Sequence, residues 1–240
     1  MSRSILVTHP VSAGTDMTEP MPDVSGNFKA IADSIANTAR ACGRAEGSVR
    51  LVAVTKTHDA PRILPVLEAG HKLFGENRVQ EAQAKWPSLK DRFAGLTLHL
   101  IGPLQSNKAR DAVRLFDVIE TVDRPKIAEA LAAEMKRQAR RLPCFIQVNI
   151  GREPQKAGIA PEAADDFVRH CRDTLDLDVR GLMCIPPADV APEPHFELLR
   201  AIALRNNLSE LSMGMSSDYP AAIRCGATLV RVGTAIFGAR

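Results

Sequence analysis

The chain has 240 residues, 45% of them hydrophobic, with 31 Lys and Arg against 28 Asp and Glu and a net charge of +3. That length supports one large core and leaves no room for a second substantial domain beside it. The basic residues are scattered among acidic ones, without a basic stripe or interleaved aromatics, which argues against nucleic acid as a partner.

Residues 1–25 mix Pro, Ser, Thr, Gly and Asp around one short apolar run, Ile5-Leu6-Val7. The run is too short for a signal segment or a membrane span, so the sequence predicts a flexible arm over 1–25, one domain over 26–240, and no membrane partner. Cys42, Cys144, Cys171, Cys184 and Cys225 are odd in number and form no C-x-x-C pair. That pattern fits reduced thiols in a cytoplasmic protein and offers no metal site.

From Asn27 to Cys42, Phe28, Ile31, Ile35 and Ala39 recur at helical spacing, and Gly43 is placed to stop the helix. Short β-rich runs follow at 49–55, 71–77, 97–102, 118–123, 144–150, 179–185, 207–214 and 228–234. Helical stretches lie between them at 61–69, 78–85, 107–115, 125–141, 161–174, 193–206 and 218–225. Continuous apolar strands alternating with helices are what a closed parallel sheet requires, because both strand faces are covered. The expected fold is α/β, a single (β/α)8 TIM barrel with an extra N-terminal helix; a doubly wound open sheet is the alternative.

In such a barrel, chemistry collects at the C-terminal strand ends and phosphate after the last two strands. Lys56 follows the first apolar run, Glu76 and Asn77 end the second, Gly102 the third, Asp123 the fourth and Asn149 the fifth. The seventh and eighth runs lead into Ser212-Met213-Gly214-Met215-Ser216-Ser217-Asp218 and Arg231-Val232-Gly233-Thr234. These small-residue turns offer backbone N–H groups and hydroxyls to an anion. An amine at one end and a phosphate cradle at the other suggest pyridoxal 5'-phosphate (PLP), whose aldehyde needs a neutral amine. Arg231 and Gly233 share a strand face, so Arg231 points inward and needs a partner. A pyridine nitrogen and an internal carboxylate (Glu76, Asp123 or Glu120) are both open to it. His99, between Leu98 and Leu100, reads as a hydrogen-bonded core histidine, and Asn77 either orients a ligand or braces a loop.

The ordered series Ala53-Val54-Thr55-Lys56-Thr57, Phe74-Gly75-Glu76-Asn77-Arg78-Val79-Gln80-Glu81, His99-Leu100-Ile101-Gly102-Pro103-Leu104-Gln105-Ser106-Asn107-Lys108, Leu211-Ser212-Met213-Gly214-Met215-Ser216 and Val230-Arg231-Val232-Gly233-Thr234 resembles the pyridoxal phosphate homeostasis proteins, the YggS/PROSC family. The resemblance runs from about Asn27 to Arg240 and departs at 217–220, where a more acidic stretch is usual. It implies a PLP fold-type III barrel similar to the alanine racemase N-terminal domain. It also implies a Schiff base at Lys56, and phosphate held by Ser212, Gly214, Ser216, Gly233 and Thr234, with Met213 in the same turn. Arg231 would face the pyridine nitrogen, and Asn77, His99 and Gly102 would line the ring side.

The implied function is intracellular PLP (vitamin B6) homeostasis: a monomer holds PLP as a lysine aldimine and releases it or delivers it to PLP-dependent apoenzymes, without fast catalysis. The alternative is a fold-type III amino-acid racemase. That would need a second acid across the cofactor, and the single tyrosine, Tyr219, lies beyond the phosphate turn. His99 or a cysteine would have to serve instead.

Overall fold

The computed structural model describes residues 23–238. Eight parallel strands close on themselves in chain order: β1 (Arg50–Val54), β2 (Leu73–Glu76), β3 (Thr97–Leu100), β4 (Val118–Val122), β5 (Pro143–Val148), β6 (Asp178–Cys184), β7 (Glu210–Ser212) and β8 (Leu229–Val232). The seam joins β1 to β8, with Val52 beside Arg231. The extra helix α1 (Val24–Ala41) precedes the barrel. Around it run α2 (Ala60–Glu68), α3 (Val79–Arg92), α4 (Ala109–Leu115), α5 (Pro125–Gln138), α6 (Ala164–Arg169), α7 (Glu193–Arg205), α8 (Tyr219–Arg224) and α9 (Thr234–Phe237). The closed barrel, not the open sheet, is the fold.

Strand alternation divides the core in two. Leu51, Ala53, Val230 and Val232 face the helices, where they join the main cluster with Phe74, Phe116 and Phe196. Burying each of those phenylalanines contributes about 1.5–3 kcal/mol. Val52, Val118, Phe145, Met183 and Leu229 form a second cluster that fills the barrel itself. The interior is therefore packed, and in this fold the site belongs at its upper end.

Several boundaries differ from the sequence expectation. Helix α1 begins at Val24, where the Asp23 carboxylate accepts from the Gly26 amide at 2.8 Å. Residues 1–22 of the expected arm lie outside the described residues, and 24 and 25 already belong to α1. Helix α3 continues through Pro87 to Arg92 because Trp86 and Leu89 are buried against the sheet, which outweighs the proline's lost hydrogen bond. The stretch 161–174 is not one α-helix: a 3-10 turn (Pro161–Ala163) leads into α6, and a wider π-type turn (His170–Thr174) ends it. Strand β7 starts only at Glu210 because Asn207 takes a left-handed backbone (φ 54°) as the chain leaves α7. Among the described residues no helix is long and apolar enough to cross a membrane, and no cluster of His, Cys, Asp and Glu could hold a metal.

Candidate functional site

A cavity of about 260 Å3 opens at the C-terminal ends of the strands. Lys56, one residue past the Thr55 that follows β1, enters it from one side. Met215, Ser216 and Ser217 after β7, and Gly233 and Thr234 after β8, border it from the other strands. Arg231 rises from β8, Asn77 closes the β2 side, and Val54, Ile101 and Ile185 supply apolar wall. The lysine and both small-residue turns thus surround one cavity.

The two turns are built to leave donors open. Asp218 caps its own turn by accepting from the Met215 amide at 2.6 Å, and the Tyr219 amide returns to the Met215 carbonyl at 2.9 Å. Among the described residues the backbone N–H groups of Ser216, Ser217, Gly233 and Thr234 make no hydrogen bond, and all four residues line the cavity. Open N–H groups converging on one space form a nest for an anion. On the opposite wall the Asn77 Oδ1 is buried without a partner. Such an atom costs about 1–3 kcal/mol unless a ligand satisfies it.

Beneath the cavity lies a buried polar chain. Arg231 donates to the Ser212 hydroxyl at 2.6 Å and to the Cys184 carbonyl at 2.8 Å. Ser212 donates to Glu120 at 2.5 Å, and the other Glu120 oxygen meets His99 Nδ1 at 2.5 Å. Burial alone would raise the Glu120 carboxyl. The His99 hydrogen bond and charge, the Arg231 charge and the Ser212 hydroxyl outweigh it and hold Glu120 below the ordinary glutamate range. Among the described residues Arg231 forms no direct salt bridge with the carboxylates open to it from sequence: it reaches Glu120 only through Ser212, while the guanidinium also lines the cavity.

The structure places the sequence-derived residues in three groups. Lys56, Asn77, Ser216, Arg231, Gly233 and Thr234 line the cavity. Ser212 and His99 do not: they lie in the barrel below it, committed to Glu120. His99 borders a separate hollow at the N-terminal end of the barrel with Val118 and Phe145. Met213 is fully buried in the outer core. Gly214, with φ 92°, is needed for packing, because a Cβ there would fall 2.6 Å from the Ala222 Cβ. Gly102 plays a similar part, since its Cβ would meet the Asn77 carbonyl at 2.3 Å; it seats Asn77 and does not itself line the cavity.

Other strand-end polar groups also turn to the scaffold. Asn149 braces its loop by bonding the Glu153 and Lys156 carbonyls, Asp123 pairs with Arg124 at 2.6 Å, and Glu76 faces α3. His58 is a lining residue the sequence reading passed over, while Ser217 and Gly238 belong to the two turns without having been singled out. His58 carried a signal, standing two residues beyond Lys56 in the same strand-end loop.

Three comparisons bear on this geometry. The family model "Alanine racemase, N-terminal domain" matches residues 27–240. A pyridoxal phosphate homeostasis protein of Haemophilus influenzae is 39% identical over 228 residues, spanning 91% of this chain and 96% of that protein. PipY of Synechococcus elongatus, solved without PLP, is 37% identical with a TM-score of 0.80, covering 90% of this chain and 100% of that one. PipY solved with PLP bound is 36% identical with a TM-score of 0.79. Alanine racemase of Corynebacterium glutamicum shares the fold at 18% identity and a TM-score of 0.65, matched over 61% of its length. The chain belongs to the alanine racemase N-terminal domain family and, within it, to the pyridoxal phosphate homeostasis proteins.

Proposed function

We propose that this family member binds PLP in the cavity at the C-terminal strand ends and serves intracellular PLP homeostasis, holding the cofactor at Lys56 and releasing it or passing it to apoenzymes. The carrying observation is that an amine and open anion donors border one cavity above a buried arginine. When bound, PLP supplies an aldehyde that condenses with a neutral amine and releases water. The chain's own residues then divide the work. The Ser216, Ser217, Gly233 and Thr234 amides would receive the phosphate, Asn77 Oδ1 would accept from the ring hydroxyl, and Arg231 would lie toward the ring nitrogen. Being always protonated, Arg231 would have no proton acceptor to offer that nitrogen and would leave it unprotonated. Relatives named for PLP homeostasis, and PipY solved with PLP bound, support the reading.

The proposed unit is a monomer with its PLP-binding barrel over residues 26–240. Five unpaired cysteines fit a cytoplasmic setting. The racemase alternative draws less support. The Tyr219 hydroxyl bonds Ser34 at 2.9 Å, His99 is held under the cavity by Glu120, and Cys184 is buried with its thiol pushed up to about 12. Borohydride reduction of the PLP-loaded protein followed by peptide mass analysis tests the proposal. The expected result is one reduced cofactor on Lys56 and none in Lys56→Ala; label on other lysines, or none, would overturn it.

A further inference from the structure

Directly behind Lys56 the chain buries a second lysine. Lys85, on α3, is 8% exposed, and its ammonium reaches the Thr55 carbonyl at 2.7 Å and the His58 carbonyl at 2.8 Å. Glu76 at 2.8 Å and Glu81 at 3.1 Å supply carboxylates. Those two carbonyls bracket Lys56. Glu81 also accepts the Thr57 amide, so one carboxylate ties α3 to both the ammonium and the loop. Glu76 is fixed in turn by the Thr55 hydroxyl at 2.5 Å and the Trp86 indole N–H at 2.9 Å.

The held segment is strained. Thr57 has φ 66°, a left-handed conformation that a β-branched side chain adopts only when its surroundings impose it. The Thr57 hydroxyl donates to the Lys56 carbonyl at 2.6 Å, and the His58 amide donates to Thr55 at 3.2 Å, closing a tight turn around Lys56. Neither Lys85 nor Glu81 lines the cavity. An ammonium with three protons, surrounded by four acceptors drawn from the strand, the loop and its own helix, is placed to grip that turn.

We propose that Lys85 and Glu81 form a clamp that positions Lys56, holding the Thr57 turn in its left-handed conformation so that the amine enters the cavity in one orientation. They are positioning residues, acting on Lys56 through its backbone. The inference rests on the reading of Lys56 as the PLP-capturing residue. A preoriented amine meets the aldehyde at high effective concentration, and a displacement of an ångström is enough to forfeit much of it.

The test uses Lys85→Met, Glu81→Ala and the double variant Lys85→Met/Thr57→Gly, with two readouts. The first, without cofactor, is hydrogen exchange at the Thr57 amide, expected to speed up by at least about tenfold in Glu81→Ala. The second is the PLP concentration needed to form the borohydride-reducible linkage at Lys56. It should rise at least about tenfold in Lys85→Met and Glu81→Ala, and recover toward wild type in the double variant, because glycine takes the turn without a clamp. Were Lys85→Met unable to fold, Glu81→Ala, at a position 27% exposed, carries both readouts alone. Unchanged Thr57 exchange, or linkage formation within about twofold of wild type in a folded variant, overturns the clamp. Changed exchange together with no linkage in wild type would instead sink the PLP assignment and leave the clamp standing.

Discussion

Replacing Glu120 by glutamine keeps the shape of the buried side chain and removes its charge. The two carboxylate oxygens each serve one partner at 2.5 Å, His99 and Ser212. In glutamine one of them becomes NH2. Turned to Ser212, it leaves the hydroxyl proton without an acceptor, since Arg231 already donates to that oxygen. Turned to His99, it requires a ring nitrogen without a proton. Neutralising one member of a buried charged set costs about 3–5 kcal/mol. One retained neutral hydrogen bond offsets about 1 kcal/mol of that. The expected loss is therefore about 2–4 kcal/mol, or a fall in Tm of at least about 4 °C for a barrel of this size.

The pH dependence gives a sharper check on the same variant. Glu120 is held below its ordinary value of 4.5, so on acidification the unfolded chain takes up this proton first. Its contribution is complete above 4.5 and is lost as the pH falls through that value toward the folded pKa. Glu76 and Asp123, raised mainly by burial, act in the opposite sense but are common to both proteins and cancel in the comparison. The gap in Tm between wild type and Glu120→Gln, followed by circular dichroism without cofactor, should therefore narrow below pH 4.5. A gap that stays constant from neutral to acid pH, or a Tm within about 2 °C of wild type, would refute an ionised Glu120 at the centre of the chain.

Gly102→Ala should cost about 1–3 kcal/mol in chemical denaturation, because the new methyl meets backbone at Asn77 and no flexible side chain can yield. It should also weaken PLP binding by moving Asn77, which an equilibrium titration would register. With a thiol reagent at neutral pH, one cysteine should react quickly, the exposed Cys42. Cys144, Cys171, Cys184 and Cys225 are buried, and burial pushes the Cys171 and Cys184 thiols up to about 12. Counting rapidly released chromophore checks this, and a second fast equivalent would contradict it.

The barrel was legible because its evidence is repetitive: apolar runs recur between helices, and each run ends on a polar residue. Lys56, Asn77, Ser216, Gly233 and Thr234, which follow strands, and Arg231, which lies inside β8, all line one cavity. Alternation says which residues point into a barrel but not at what height: Ser212 lies below the cavity, and His99 is the hydrogen-bonded core histidine that its apolar neighbours suggested. Ile101, two residues beyond His99, lines the cavity, while His99 itself lies a layer lower beside Val118. Lys85 was missed although its signal was present. It falls at helical spacing with Ala82 and Leu89, both buried, so a lysine on that stripe had to find buried acceptors.

Whether the site can also turn over amino acids depends on an acid facing Lys56 across the cofactor. Tyr219 is turned outward to Ser34, His99 is committed to Glu120, and the Cys184 thiol holds its proton too tightly. Among the described lining residues His58 supplies the one imidazole, and its ring packs on Phe237 at 5.2 Å. It stands two residues beyond Lys56 in the same strand-end loop. On the proposed placement of Arg231 toward the ring nitrogen, that nitrogen would stay unprotonated and the ring would be a weaker electron sink. Deuterium exchange at the α-carbon of alanine should therefore exceed that of Lys56→Ala by less than about tenfold, and His58→Gln should not change it. Fast exchange with inversion, abolished in both variants, would make the protein a racemase after all and His58 its second acid.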